Sequence, residues 1–155
     1  MLRIENTHDW EQARMSDVLP SVLACIRRFV TEFPEELTED YLISEVMLGR
    51  RQLWVVYDEA DPNTALLAVF TESKTYDATS VAFIEIVGIG GERIREALPL
   101  IDEIEEWAAE QGAQNSMIIG RFGWIPLLKE RGYQKKAVIL KKPLGGKANG
   151  RSARE

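Results

Sequence analysis

Apolar residues early in the chain recur at steps of three and four. Leu19, Val22, Leu23, Ile26, Phe29 and Val30 form one stripe, the pattern of an amphipathic helix packed by a single face. Pro20 suits a first helical turn, which predicts a cap at Ser16 or Asp17. Ahead of that helix, residues 2–6 read as a short edge strand and Trp10 as part of a turn or short helix. Phe33-Pro34 closes the segment. A second helix is predicted from Thr38, whose hydroxyl suits an N-cap. Glu39 and Asp40 then sit where the helix dipole favours negative charge. Tyr41, Leu42, Val46 and Leu48 are its apolar positions, and Gly49 ends it.

The runs then shorten and become β-branched and aromatic. Gln52-Leu-Trp-Val-Val-Tyr57 predicts a strand, and 58–63 is a turn by composition. Residues 65–72 predict the returning strand, 73–79 a polar connection, and 80–88 a third antiparallel strand. A helical pattern covers 92–111, with Ile94, Ala97, Leu98, Ile101, Ile104, Trp107 and Ala108 on one face. Pro99 interrupts it: either the helix bends there, or it starts near Leu98 after an irregular turn. Gly112 stops the helix. Residues 115–119 predict a strand, 120–124 open a short helix that Gly132 ends, and 133–142 predict a last strand. The fold class expected is α/β, a mixed sheet in a single domain over 1–144. Its order is two N-terminal helices, an antiparallel meander, then βαβαβ. Residues 145–155 form a basic tail with no large apolar residue, and disorder is expected there.

Composition narrows the function. The 155 residues, 45% hydrophobic and 28% charged, suit one soluble globular domain. No apolar run approaches the ~20 residues of a membrane span, and the first six residues lack a signal peptide's apolar region. Cys25 and His8 are the single cysteine and histidine. That excludes an internal disulfide and histidine-based zinc sites, so no metal is expected, and it argues against a serine triad. A net charge of -6 argues against general nucleic-acid binding, although the basic tail leaves room for a local contact.

Two motifs bring in a family. Ile104-Glu-Glu-Trp-Ala-Ala-Glu-Gln-Gly-Ala113 resembles the end of the long central helix of the GNAT superfamily of acetyl-CoA-dependent N-acetyltransferases. Leu127-Leu-Lys-Glu-Arg-Gly-Tyr133 resembles the helix that precedes that family's last strand. A narrower resemblance is to GNAT-like proteins of tailed bacteriophages and prophages. It rests on Glu39-Asp-Tyr-Leu-Ile43, Gly49-Arg-Arg-Gln-Leu-Trp-Val55, Gly90-Gly91, Glu105-Glu-Trp-Ala108, Gly120-Arg-Phe-Gly-Trp124 and Leu140-Lys-Lys-Pro-Leu144. The first resemblance implies acetyl transfer from acetyl-CoA to a small-molecule or protein amine. The second also implies a non-catalytic alternative, a virion-associated protein bound to phage structural proteins. The location implied is the cytoplasm, or the host cytoplasm or virion for a phage protein.

The resemblance also assigns residues. Acetyl-CoA would lie between two splayed parallel strands, its pyrophosphate at a helix N-terminus, near Val87, Gly88, Gly90, Gly91, Arg93, Arg95, Arg121 and Trp124. The family's glycine turn aligns with 93–97, where no glycine stands. Gly90-Gly91 is then either a shifted phosphate cradle, with Arg93 and Arg95 adding charge, or a tight strand-to-helix turn. Glu85 occupies the strand position of the family's catalytic base. It shares a face with Phe83 and Val87, and is either that base or a solvent-facing or cross-strand-paired glutamate. Leu128 stands where many members carry a tyrosine acid. Arg121 and Trp124 either hold an anion and a flat group or serve packing. Trp54, Trp107 and Cys25 are expected in the core. The acceptor amine would meet the two N-terminal helices and 73–79.

Overall fold

A five-stranded sheet, ordered β1-β2-β3-β4-β5, carries most of the computed structural model. The structure describes residues 1–33, 35–120 and 122–145. They belong to two units, Met1–Phe122 and a smaller one from Gly123 onward. In the first unit β1 (Leu2–Asn6), β2 (Gln52–Asp58), β3 (Leu67–Thr75) and β4 (Ala82–Gly91) pair antiparallel in succession. β5 (Asn115–Ile118) adds parallel to β4. This is the mixed α/β class read from the sequence.

Helices cover both faces of this sheet. α1 (Gln12–Glu32) and α2 (Glu39–Met47) bury Val18, Val22, Ile26, Phe29 and Leu42 against Leu53, Val55, Ala68 and Phe70. On the opposite face α3 (Ile94–Ala97) and α4 (Ile101–Glu110) bring Ala97, Ile101 and Ile104 to the sheet, and Trp107 meets Trp54 edge-on at 5.5 Å. With both faces covered, Leu53 through Tyr57 are all buried. That is why β2 reads as a continuous apolar run rather than an alternation. Thr38 caps α2 as expected, its Oγ1 accepting from the Tyr41 N–H at 3.1 Å.

Two local expectations are corrected, and the alternative left open at Pro99 is settled as the irregular turn. α1 runs straight through Pro20 instead of starting near it. Ser16 and Pro20 are both exposed, so the carbonyl deprived of its partner at Pro20 faces water, which lowers the cost of an internal proline. The helical pattern over 92–111 is broken: α3 gives way to a 3-10 turn at Leu98–Leu100 containing Pro99, and α4 starts at Ile101. β4 extends to Gly91, past the strand end expected at Gly88.

In the smaller unit, α5 (Ile125–Lys129) carries Pro126 in its first turn, and Gly132 turns the chain with φ of 91°. The last strand expected over 133–142 is not formed; Val138, Ile139 and Leu140 are exposed. β-propensity stabilises a strand only through cross-strand neighbours, and this unit has no second strand among the described residues. The tail read as disordered lies, from residue 146, outside the described residues. Among the described residues, no helix is long and apolar enough to cross a membrane.

Candidate active site

β4 and β5 part company in the middle of β4. Their ladder runs from Phe83↔Asn115 to Ile86↔Ile118 and stops. At the same level Thr71 pairs with Ile86 and Phe70 with Gly88, so Val87 is an extra residue without a partner on β3. A bulge of this kind bends its strand. From Val87 to Gly91 the side of β4 facing away from β3 has no strand partner among the described residues.

Glu85 lies one pair before this opening. Ala68, Phe70, Glu72 and Lys74 alternate onto one face of β3, and Ala68 and Phe70 belong to the core under α1 and α2. Glu85 is opposite Glu72, so it too is on the α1/α2 face. It is buried, and its Oε1 accepts from Lys74 Nζ at 2.5 Å. This hydrogen bond raises the Lys74 pKa, outweighing the opposing effect of burial. Next to the pair, Arg51 Nε donates to Glu72 Oε1 at 3.0 Å, and Tyr76 stacks on Phe83 with ring centroids 4.4 Å apart. Glu85 is therefore cross-strand-paired, and it is also the buried carboxylate nearest the opening along β4.

The glycines have a different job from the one expected. Gly90 and Gly91 are neither a loop cradle nor the strand-to-helix turn: both lie in β4, paired with Ala68 and Leu67. A Cβ on Gly88 would stand 2.2 Å from the Phe29 ring, and one on Gly90 2.5 Å from the Cys25 carbonyl oxygen. Glycine is required there because α1 rests directly on the strand. The turn itself comes at Arg93, which adopts φ of 59°. Its guanidinium is committed to Glu96, at 2.7 Å, and approaches Asp58 at 3.7 Å. Arg95 is exposed on α3. Arg121 lies outside the described residues, and Trp124 belongs to the smaller unit.

No family model matches the chain, and no curated protein matches it. Solved structures do. An aminoglycoside acetyltransferase from an uncultured soil metagenomic sample superposes with a TM-score of 0.62 at 14% identity, over 92% of this chain and 96% of that one. Glucosamine-6-phosphate N-acetyltransferase from Arabidopsis thaliana gives 0.63 at 10%, over 93% and 99%. A GNAT family acetyltransferase from Staphylococcus aureus gives 0.60 at 9%, over 92% and 98%. The fold is that of the GNAT acetyltransferases.

Among the described residues, the edge of β4 beyond Ile86 that faces away from β3 offers backbone donors and acceptors without a strand partner. The start of α3 lacks the glycine turn expected for the pyrophosphate: every residue from Glu92 to Ala97 carries a side chain, and Glu96 adds negative charge. Sequence reasoning missed Lys74, because its pairing with Glu85 depends on a cross-strand register. It also missed a cleft of about 650 Å³ at the β1 edge, well away from Glu85.

Proposed function

We propose that the chain is an acetyl-CoA-dependent N-acetyltransferase acting on an amine, with Glu85 as the general base. The observation that carries this reading is the buried Glu85, hydrogen-bonded to the partly exposed Lys74, one residue pair before β5 leaves β4. Bound acetyl-CoA would supply an activated thioester carbonyl. The N–H groups of β4 beyond Ile86, free of a strand partner, would orient that carbonyl, and positioning of this kind supplies much of the acceleration in such transfers. Lys74 holds the Glu85 side chain in place through its hydrogen bond to Oε1. Glu85 then takes a proton from the amine, directly or through one water. With Leu128 in place of a tyrosine, the proton that leaves with the product thiol comes from solvent. Arg95, and Arg93 once released from Glu96, are the cations closest to the start of α3 for the phosphates. The structural neighbours named for glucosamine-6-phosphate and aminoglycosides make a small polar amine the favoured acceptor class.

Calorimetry with acetyl-CoA tests the reading. Micromolar binding, weakened several-fold by Arg95→Ala, is expected, together with amine-dependent release of free thiol. Absence of binding at millimolar cofactor would overturn it. A second reading, a partner-binding protein of phage or prophage origin, draws on a specific observation: Gly88 and Gly90 are consumed by α1 packing and α3 starts without glycine. Under it, acetyl-CoA does not bind, and mass spectrometry of purified virions detects the chain.

A further inference from the structure

The cleft at the β1 edge lies in the first unit, and two strands, β2 and β3, separate β1 from β4. β1 is an edge strand, and among the described residues its only ladder is to β2. The main-chain groups on its outer side therefore form an unpaired template at the floor of the cleft, along Ile4, Glu5 and Asn6. Trp10, Trp54 and Trp107 supply aromatic walls, and Asp9, Glu11 and Glu103 supply acidic groups. The last three are exposed. The volume, about 650 Å³, falls within the range of small-ligand and peptide-sized sites.

One of the chain's own residues shows which chemistry this lining accepts. Arg14 lies over the Trp10 ring with its guanidinium carbon 3.7 Å from the centroid, and its Nη1 donates to Glu5 Oε1 at 3.2 Å. A guanidinium is thus held between an indole face and a carboxylate, an arrangement favoured by both charge and the ring quadrupole. Trp107 with Glu11 and Glu103 provides indole and carboxylate groups of the same kind elsewhere in the cleft, where Arg14 does not reach them through any contact described.

We propose that this cleft docks an extended basic peptide segment, which adds as a strand to the free edge of β1 and places arginine or lysine side chains against Trp107, Glu11 and Glu103. Strand addition takes affinity from the main chain and specificity from alternate side chains. The free edge selects an extended backbone, and the acidic lining selects its charge. This site is independent of acetyl transfer.

The probe is a blocked hexapeptide of alternating valine and arginine, titrated into the full chain. Three of the protein's four tryptophans line the cleft, so intrinsic fluorescence reports occupancy. Saturable binding is expected, weakened about tenfold or more in the Glu11→Gln, Glu103→Gln double variant, as befits loss of two charge partners. Both positions are exposed, and unchanged circular dichroism would confirm that the variant is folded. The same peptide N-methylated along one edge should lose binding. The proposal is overturned if the N-methylated peptide or spermidine binds as tightly, since charge alone would then suffice. It is equally overturned if the double variant binds unchanged, or if the chain self-associates through this edge in sedimentation and the peptide does not compete.

Discussion

Glu5 and Glu85 are both hydrogen-bonded strand carboxylates, and they are partnered in opposite ways. Glu5 accepts from Trp10 Nε1 at 3.1 Å, from Arg14 at 3.2 Å and from the Tyr57 hydroxyl. Burial alone would raise its pKa, but these three donors together hold it below the ordinary 4.5. Glu85 is more deeply buried, 7% exposed, yet among the described residues it has Lys74 as its single hydrogen-bonding partner. A carboxylate offers about four acceptor positions. Glu5 has filled most of them and ties β1, α1 and β2 together. Glu85 keeps spare capacity where the sheet opens. The number of donors already satisfied, more than burial, separates these two carboxylates, and it is the difference on which the proposed role of Glu85 rests.

The sharpest test is Glu85→Gln. Thiol release with an amine acceptor should fall by roughly a hundredfold or more, the usual range for losing a general base, while the urea midpoint moves little. A variant that kept full turnover would erase the distinction. Glu5→Ala should do the reverse. It leaves three donors unpaired and should cost about 1–3 kcal/mol in urea unfolding with acetyl-CoA binding intact. The pH dependence comes next. Because the Glu5 carboxyl is lowered in the folded state, its contribution is present above the ordinary 4.5 and is lost as pH falls through the lowered folded value. Wild type should therefore lose stability on acidification more steeply than Glu5→Gln. The smallest effect is the pH-dependent part of the Lys74→Met change. The Lys74 pKa is raised, so its contribution is present below the ordinary 10.5 and is lost as pH rises through the folded value. With Lys74 partly exposed, that contribution should stay under about 1 kcal/mol, and the gap between wild type and variant should close in strong base.

How much of this was legible in the sequence depended on how local the cause was. The Thr38 cap, the β2 strand and the break at Pro99 each have causes within a few residues, and each could be read directly. Glycine was harder. Gly90-Gly91 advertised a turn, but the cause is the approach of Phe29 and the Cys25 backbone from α1, far away in the chain. Pro20 misled because its tolerance depends on which side of α1 faces water. The apolar run over 133–142 misled because strand propensity needs a partner strand. Glu85 could be singled out from its place before the helix, but Lys74, eleven residues earlier, becomes its partner only through the β3–β4 register. Trp10 gave no hint that it would join Trp54 and Trp107 around one cleft.

Val87 is surplus to the alternation of β4. Side chains on a strand alternate between faces, and alternation counted without a break from Ile86 would send Gly88 towards α3 and α4 and Ile89 towards Phe29. The bulge absorbs one residue, so Gly88 and Gly90 meet α1 and Ile89 is directed to α3 and α4. Removing Val87 would leave Gly88 opposite Phe70 and every downstream face as it is. A deletion at position 87 should therefore be tolerated by the packing and should straighten β4 where it now bends, whereas one further inserted residue would exchange the two faces.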